Sequence, residues 1–196
     1  DKMFPILIGF FVFLFVFLIS GIGLLRERTN GTLERLLATS IKRSDIVFGY
    51  LVGYGLFAIL QTLLIVFYAI IILNIELAGS IWWVLLVNIL IALAALAMGI
   101  FVSTFANSEF QMIQFIPIVA IPQIFFSGII PLENIANWVS FIGYLFPLRY
   151  AGDALTHIMI KGQGLEYIWF DICILFVFII VFTILNIIGL KRYRKV

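Results

Sequence analysis

The sequence predicts an all-α membrane protein with five transmembrane helices, because its composition, its uncharged stretches and the placement of its basic residues agree. Hydrophobic residues make up 64% of the 196 residues and charged residues 11%, whereas soluble domains average about 45–50% and about 25%. The mean hydropathy is +1.23. Folding alone cannot hide that much apolar surface from water, so we expect the chain to lie in lipid.

Five stretches lack Asp, Glu, Lys and Arg and are long enough to cross a bilayer, which takes about 20 helical residues. These stretches are Phe4–Leu25, Ile46–Leu73, Ile81–Phe105, Met112–Ile130 and Ile172–Leu190. The fourth contains Pro117 and Pro122, and a proline inside a helix removes a backbone donor and clashes with the preceding turn. We therefore expect the fourth helix to be the least regular one.

The basic residues indicate how the chain is oriented in the membrane. Most of them fall between the first two stretches or after the last one, at Arg26, Arg28, Arg35, Lys42, Arg43, Lys191, Arg192, Arg194 and Lys195. Short cytoplasmic connections are enriched in Lys and Arg. We therefore expect a multi-pass protein of the plasma membrane whose carboxyl end is cytoplasmic.

The segment between the fourth and fifth stretches is apolar but divided by Pro147 and by Gly162-Gln163-Gly164. Apolar pieces of about 10–14 residues are more typical of re-entrant or interfacial helices than of crossings. We predict two such helices, Leu132–Phe146 and Leu148–Ile160, which dip into the membrane from its outer face as a re-entrant pair.

The first basic segment, Arg26–Asp45, also has an apolar stripe. Leu33, Leu36 and Leu37 recur at helical spacing, which predicts a short amphipathic helix on the cytoplasmic membrane surface, with Glu34 and Arg35 turned toward the cytosol. We expect this helix to start at Asn30-Gly31, and Ser44-Asp45 to cap the next one. A solvated basic loop is the alternative that periodicity leaves open.

Three motifs resemble those of ABC-2 type permeases. ERTNGTLERLLATS at 27–40 is similar to the motif that follows the family's second membrane helix. FSGIIPLE at 126–133 is similar to the turn into its outer re-entrant helices, and FPLRYAGDAL at 146–155 to the segment between them. Ser40 stands where members commonly carry Pro. The motifs occur in the family's order over most of the chain.

The resemblance implies a six-span permease that binds ABC ATP-binding subunits and pairs with a second permease subunit, as a homodimer or a heterodimer, among membrane lipid. It implies coupling to the ATPase subunit through Glu27, Arg28, Gly31, Thr32, Glu34 and Arg35. It implies an outer gate of re-entrant helices that includes Ser127, Gly128, Pro131, Pro147 and Arg149. Residues 1–196 are expected to form a single ABC-2 transmembrane domain of a longer permease, without the family's first membrane helix.

The sequence offers no residues for bond-breaking chemistry. It has no GxxxxGK[ST] nucleotide motif, and a single Cys173 and a single His157 cannot build a metal cluster. We therefore expect no catalytic residue, metal or cofactor in this chain, with ATP and Mg held by the partner subunit. Nothing supports nucleic-acid binding. Any energy for uphill transport must come from another chain.

Neutral amides are the main polar groups inside the uncharged stretches. Asn88 and Asn186 are expected to bond between helices, as polar side chains in membrane bundles often do. Gln114 and Gln123, on the proline-containing stretch, are candidates for lining a transport path. The resemblance implies an exporter's transmembrane subunit, and an uncharged path suits the outward movement of an amphipathic drug, lipid or polymer better than that of a small ion. A passive channel and a membrane scaffold are the alternatives.

Overall fold

The fold was analysed in a computed structural model, which describes residues 3–129 and 141–190. The described residues form seven α-helices and their connections, with no strand among them. The helices are α1 (Met3–Thr29), α2 (Thr32–Leu37), α3 (Arg43–Phe67), α4 (Ile81–Ser103), α5 (Glu109–Ile124), α6 (Pro147–Met159) and α7 (Leu165–Gly189). A π-helical turn extends α3 over Tyr68–Ile72, and another extends α5 over Phe125–Ile129.

Five of these elements are long and apolar enough to cross a membrane, which confirms the predicted number of spans. They are Met3–Thr29, Arg43–Ile72, Ile81–Ser103, Glu109–Ile129 and Leu165–Gly189. The last begins seven residues before the predicted Ile172, so that Glu166 and Asp171 lie within its first two turns. The predicted span began only after the charged Asp171, but a helix can start before such a residue.

The proline-containing helix is more regular than its sequence predicts. α5 continues through Pro117 and Pro122, and the α-helical pattern ends only at the π-helical turn that follows. Gly128 in that turn has a φ of 95°, a conformation that glycine adopts without steric cost. The irregularity therefore lies at the end of the span rather than at its prolines.

α4 is the central helix of the bundle and packs against α1, α3, α6 and α7. Of the 18 consecutive residues that are most apolar in α4, 78% are buried, compared with 17% of those in α7. α1 crosses it closely at Gly21 and Gly99, since a Cβ on Gly99 would lie 2.6 Å from the carbonyl oxygen of Phe17. Small residues at such crossings let two backbones approach in a membrane bundle.

Two buried asparagines differ in their bonding. Asn186 on α7 donates from Nδ2 to the carbonyl oxygen of Ala97 on α4, at 2.9 Å, as predicted for a bond between helices. Asn88 instead donates to the carbonyl oxygen of Val84 within its own helix, at 2.8 Å, so the prediction for Asn88 was wrong. A side chain that returns to its own preceding turn satisfies its donor without a neighbouring helix.

α6 lies at the end of the bundle where α1, α4 and α7 begin, and packs against all three. Its 13 residues rise about 20 Å at about 1.5 Å per residue, less than a hydrocarbon core of about 30 Å. It corresponds to the predicted Leu148–Ile160 helix. Of its predicted partner Leu132–Phe146, residues 132–140 lie outside the described part of the chain.

Candidate functional site

The short helix α2 is attached to the bundle by its leucines. Gly31 precedes it with a φ of 74°, and one residue of this left-handed kind lets the chain turn sharply from α1 into α2. Leu33 and Leu37 are buried against the start of α3 and the end of α7, where they contact Ile46, Val47 and Leu190. α2 is therefore packed onto two membrane-spanning helices at once.

The opposite side of α2 is open to solvent. Thr32, Glu34 and Arg35 are exposed, while Leu33 and Leu37 are buried. The alternation of apolar and polar faces that the leucine spacing predicts is thus present, within a helix of only six residues. This exposed face carries one acidic and one basic side chain side by side.

The ends of the neighbouring helices differ slightly from prediction. α1 continues to Thr29, so that Glu27 and Arg28 belong to its last turns rather than to a loop, and α2 starts at Thr32. α3 begins at Arg43 without a side-chain cap. The predicted Ser44-Asp45 cap is wrong, because the Ser44 hydroxyl donates to the Asp45 carboxylate at 3.2 Å instead of accepting a backbone N–H.

Arg28 connects the end of α1 to the turn between α4 and α5. Its guanidinium donates from Nη1 to the carbonyl oxygen of Thr104 at 3.2 Å, and from Nη2 to that of Ala106. The planar fork of arginine suits two acceptors on one side. Although Arg28 is a predicted ATPase contact, the structure places its charged group on backbone carbonyls of its own chain.

Arg26 makes a second link between the same elements. Its Nε lies 2.7 Å from Oε1 of Glu109, and its Nη2 lies 3.2 Å from Oε2. The two side chains are 63% and 50% exposed, so solvent screens much of their attraction. This pair links the end of α1 to the start of α5. The sequence gives no sign that the two residues meet.

Glu27 points into the bundle surface between α1 and α3. Its Oε2 accepts a hydrogen bond from the Tyr50 hydroxyl at 3.4 Å. Of the six predicted coupling residues, Glu27 and Arg28 therefore contact their own chain, whereas Thr32, Glu34 and Arg35 are exposed and Gly31 forms the turn. The contact between Tyr50 and Glu27 was not predicted, because nothing in an apolar sequence shows which tyrosine will donate to a carboxylate.

At the other end of the bundle, Gln123 holds the start of α6. Its side chain is 0% exposed, and its Oε1 accepts from the backbone N–H of Leu148 at 3.0 Å. The first N–H groups of a helix have no partner within it, and Gln123 provides one. Gln114, the other path candidate, is exposed on α5. A path-lining role of either residue stays a prediction.

Four of the five predicted gate residues lie close to this helix start. Pro147 is the first residue of α6 and Arg149 lies in its first turn, while Ser127 and Gly128 form the π-helical turn against which α6 packs. Pro131, the fifth, lies outside the described residues.

Close contacts join this π-helical turn to α6. Gly152 of α6 approaches the carbonyl oxygen of Ser127 so closely that a Cβ would collide with it. The rings of Phe126 and Phe146 stack with centroids 5.1 Å apart. The end of α5 and the start of α6 therefore form one packed unit.

One side of α6 carries Arg149, Asp153 and His157 at four-residue intervals, and Lys161 follows just after the helix ends. The Arg149 guanidinium lies 4.1 Å from the ring centre of Tyr144. Burial raises the pKa of the Asp153 carboxyl above its usual value, although Arg149, His157 and Lys161 act in the opposite direction. Nδ1 of His157 lies 2.5 Å from Oε1 of Gln163, so the histidine ring has a hydrogen-bond partner within its own chain.

Among the described residues no group of three His, Cys, Asp or Glu side chains could hold a metal ion. Within residues 3–129 and 141–190, polar side chains gather on the α2 face at one end of the bundle and at the α5–α6 junction at the other.

Comparison of the sequence with known proteins gives a family and several relatives. The sequence profile of the family described as "ABC-2 type transporter" matches residues 2–160. The chain is 28% identical over 180 residues to "ABC transporter G family member 20" of Dictyostelium discoideum, covering 90% of this chain and 25% of that protein. It is 25% identical over 166 residues to "Probable multidrug ABC transporter permease YbhR" of Escherichia coli (strain K12), covering 84% and 45%.

A third relative is "Inner membrane transport permease YhhJ" of Escherichia coli (strain K12), 29% identical over 153 residues, which cover 77% of this chain and 41% of that permease. The chain thus spans between a quarter and just under half the length of these curated relatives. The family profile covers most of the chain, including the α2 segment and the α5–α6 junction. The chain belongs to the ABC-2 type transporter family.

Proposed function

We propose that this chain is the transmembrane permease of an ATP-binding cassette exporter, which moves an amphipathic drug, lipid or polymer outward while a separate subunit hydrolyses ATP. Membership of the family supports the transporter role, and the names of the relatives, one of them a multidrug permease, support an amphipathic substrate. ATP and Mg then belong to the partner, and the chain acts by changing shape.

The observation that carries the proposal is the attachment of α2. Its buried leucines contact α3 and α7, and the end of α1 just before it is fixed to the α4–α5 turn by Arg28. A force on the exposed Thr32, Glu34 and Arg35 would therefore reach all five membrane-spanning helices. Such a site suits the contact with an ATPase subunit, with Gly31 as the turn that positions it.

At the opposite end we propose that the α5–α6 junction is the outer gate. Gln123 and the π-helical turn hold α6 in place, and a helix of this length can enter the membrane without crossing it. Ser127, Gly128, Pro147 and Arg149 then belong to the moving parts of the gate. Together with the segment before it, α6 forms the re-entrant pair that closes the path.

The chain is proposed to lie in the plasma membrane, with α2 and the carboxyl end in the cytoplasm, because the basic residues collect there. It pairs with a second permease subunit, identical or different. Few residues are buried in the most apolar parts of the outer spans: 28% in α3, 28% in α5 and 17% in α7. Their exposed faces are therefore available to this subunit and to membrane lipid.

The test is reversal of the two charges on α2, Glu34→Arg with Arg35→Glu, in the full-length permease expressed with its ATPase subunit. We expect the subunits to associate about tenfold more weakly, which corresponds to about 1.4 kcal/mol, and substrate-stimulated ATP hydrolysis to fall accordingly. Association is measured by titrating labelled ATPase subunit onto the immobilised permease, and hydrolysis by phosphate release in proteoliposomes.

The matched control reverses two exposed charges at the other end, Glu76→Arg with Lys161→Glu, and should leave both quantities unchanged. Unchanged association in the α2 double variant would remove α2 as the contact. If no ATPase subunit binds the wild-type permease at all, a passive channel or a scaffold becomes the better account.

A further inference from the structure

A crevice between α1 and α3 has features that neither coupling nor gating explains. It encloses about 480 Å³ and is lined by Ile19, Glu27, Gly49, Tyr50, Gly53, Tyr54 and Phe57. Ligand pockets in proteins usually measure about 300–1,000 Å³. The crevice opens on the bundle surface between the second half of α1 and the first half of α3, near the α2 end.

Two glycines and one close contact create the space. A Cβ on Gly49 or on Gly53 would meet no atom within 4 Å, so the α3 side of the crevice is open rather than filled by a neighbour. On the α1 side, Gly23 lets the Tyr54 hydroxyl lie against the helix, where a Cβ would collide with it. The Tyr54 ring is thereby kept along the crevice.

The acidic side chain that lines the crevice is Glu27. Glu27 accepts from the Tyr50 hydroxyl, and among the described residues no lysine or arginine forms an ion pair with it. The rings of Tyr50 and Tyr54 stack with centroids 6.2 Å apart, and Phe57 lines the same space. The crevice thus joins one negative charge to three aromatic rings.

This combination has a specific chemical preference. Aromatic faces attract organic ammonium groups, most strongly where water is excluded, and a carboxylate adds direct charge complementarity. No basic residue lines the crevice, so a phosphate attached to the ammonium would find no partner. Tyr54 and Phe57 also line a separate, much smaller cavity beside Gln61, whose amide nitrogen and oxygen are both buried without a partner among the described residues.

We propose that this crevice binds the cationic head of a single-chain alkylammonium amphiphile, with the head between Glu27 and the two tyrosines and the chain along α1 and α3. The proposal concerns binding alone, so it can be tested without nucleotide or ATPase subunit. Its failure would therefore leave the proposed exporter function untouched.

The experiment measures binding of tritiated dodecyltrimethylammonium to the full-length permease in dodecyl maltoside micelles, by scintillation proximity. Two competitors share its chain. Dodecylphosphocholine adds a phosphate to the same head, and 2,2-dimethyltetradecane replaces the charged nitrogen by carbon. We expect both to compete at least about tenfold more weakly than unlabelled dodecyltrimethylammonium, because one lacks a phosphate partner and the other lacks the charge.

Four variants locate the site. Glu27→Gln removes the charge and should weaken binding about tenfold, and Tyr54→Leu about fivefold, which is in the range of a cation–π contact. Gly53→Leu should abolish binding by filling the crevice at an open position. Glu34→Gln, a carboxylate on the exposed face of α2, is the control and should bind like the wild type.

Three results would overturn the proposal: a wild-type permease that does not bind the cation, equal competition by the uncharged analogue, or binding that survives both Glu27→Gln and Gly53→Leu. The first would mean that other parts of the full-length protein cover the crevice. The other two would mean that the probe only partitions onto an apolar surface.

Discussion

Single glycines set the distance between α1 and α4. Gly99 lies so close to α1 that any side chain would meet the carbonyl oxygen of Phe17, whereas Gly53 faces open space. The missing side chain therefore has a different structural effect at Gly99 and at Gly53. One lets backbones approach, and the other leaves room.

Gly99→Ala is expected to lower the free energy of unfolding by about 1–3 kcal/mol, the usual cost of overpacking. Gly53→Ala is the matched control and should be neutral or stabilise by up to about 1 kcal/mol, because alanine favours the helix. Thermal unfolding in detergent, followed by circular dichroism, compares the two. Equal melting temperatures would show that α1 and α4 can separate without loss.

Gln123→Met should destabilise the start of α6, because the buried backbone N–H of Leu148 loses its acceptor. An unsatisfied buried donor costs about 1–3 kcal/mol. The measurement is hydrogen exchange of the first α6 amides, which should become faster. Gln114→Met, the same change at an exposed position of α5, is the control, and equal exchange in both variants would argue against the bond.

Gln123 also shows where sequence reasoning about a residue ends. An amide near two prolines is a reasonable candidate for a path, and this was its predicted role. Its observed partner is the first N–H of a helix that begins more than twenty residues later. Every helix has such unpartnered groups, so the sequence carries no mark that links one of them to Gln123.

Among the elements, α2 buries two leucines of the stripe that its sequence predicts, while its place on the cytoplasmic membrane surface stays a prediction. Its apolar stripe follows directly from a period of 3.6 residues, and Leu33 and Leu37 are buried as that period requires. Arg28 was assigned to the same segment but turns to backbone carbonyls. Every residue has a backbone carbonyl, whatever its side chain, so the sequence could not show which carbonyls Arg28 would contact.

The two arginines at the end of α1 should differ in effect. Arg28→Ala is expected to loosen the α4–α5 turn by about 1.5–3 kcal/mol, since hydrogen bonds to charged groups are worth about that much. Arg26→Ala removes only a solvent-exposed ion pair, whose attraction water screens, so we expect a much smaller effect. Hydrogen exchange at residues 104–107 is the measurement, and an equal rise in both variants would contradict the assignment.

At the scale of the whole chain, the five spans followed from the absence of charge, and only their ends required correction. The arrangement of the spans was not predictable from hydropathy, because all five are strongly apolar and lipid gives no preference between them. α4 occupies the centre, and its small residues Ala94, Ala95, Ala97 and Gly99 fit that position. Packing shape, not hydrophobicity, decides which helix lies inside.

The topology is tested with single cysteines in a Cys173→Ser background. We expect a membrane-impermeant maleimide added to intact cells to label Glu76→Cys but not Thr39→Cys, because the basic-residue bias places α2 inside. Both native side chains are exposed, so access is not limited by burial. Labelling of Thr39→Cys alone would reverse the orientation, and a reporter found outside after Val196 would end the five-span topology.

The glycine crossing of α1 and α4 also bears on how the protein is made. α1 enters the membrane before α4, and the face around Ser20 and Gly21 that fits α4 has to wait until α2, α3 and the following loop have been synthesised. During that interval α3, which has few buried residues of its own, cannot replace the missing partner. A ribosome stalled before Ile81 should therefore leave α1 and α3 loosely associated and open to membrane proteases, and release of α4 should be the moment at which the bundle acquires its core.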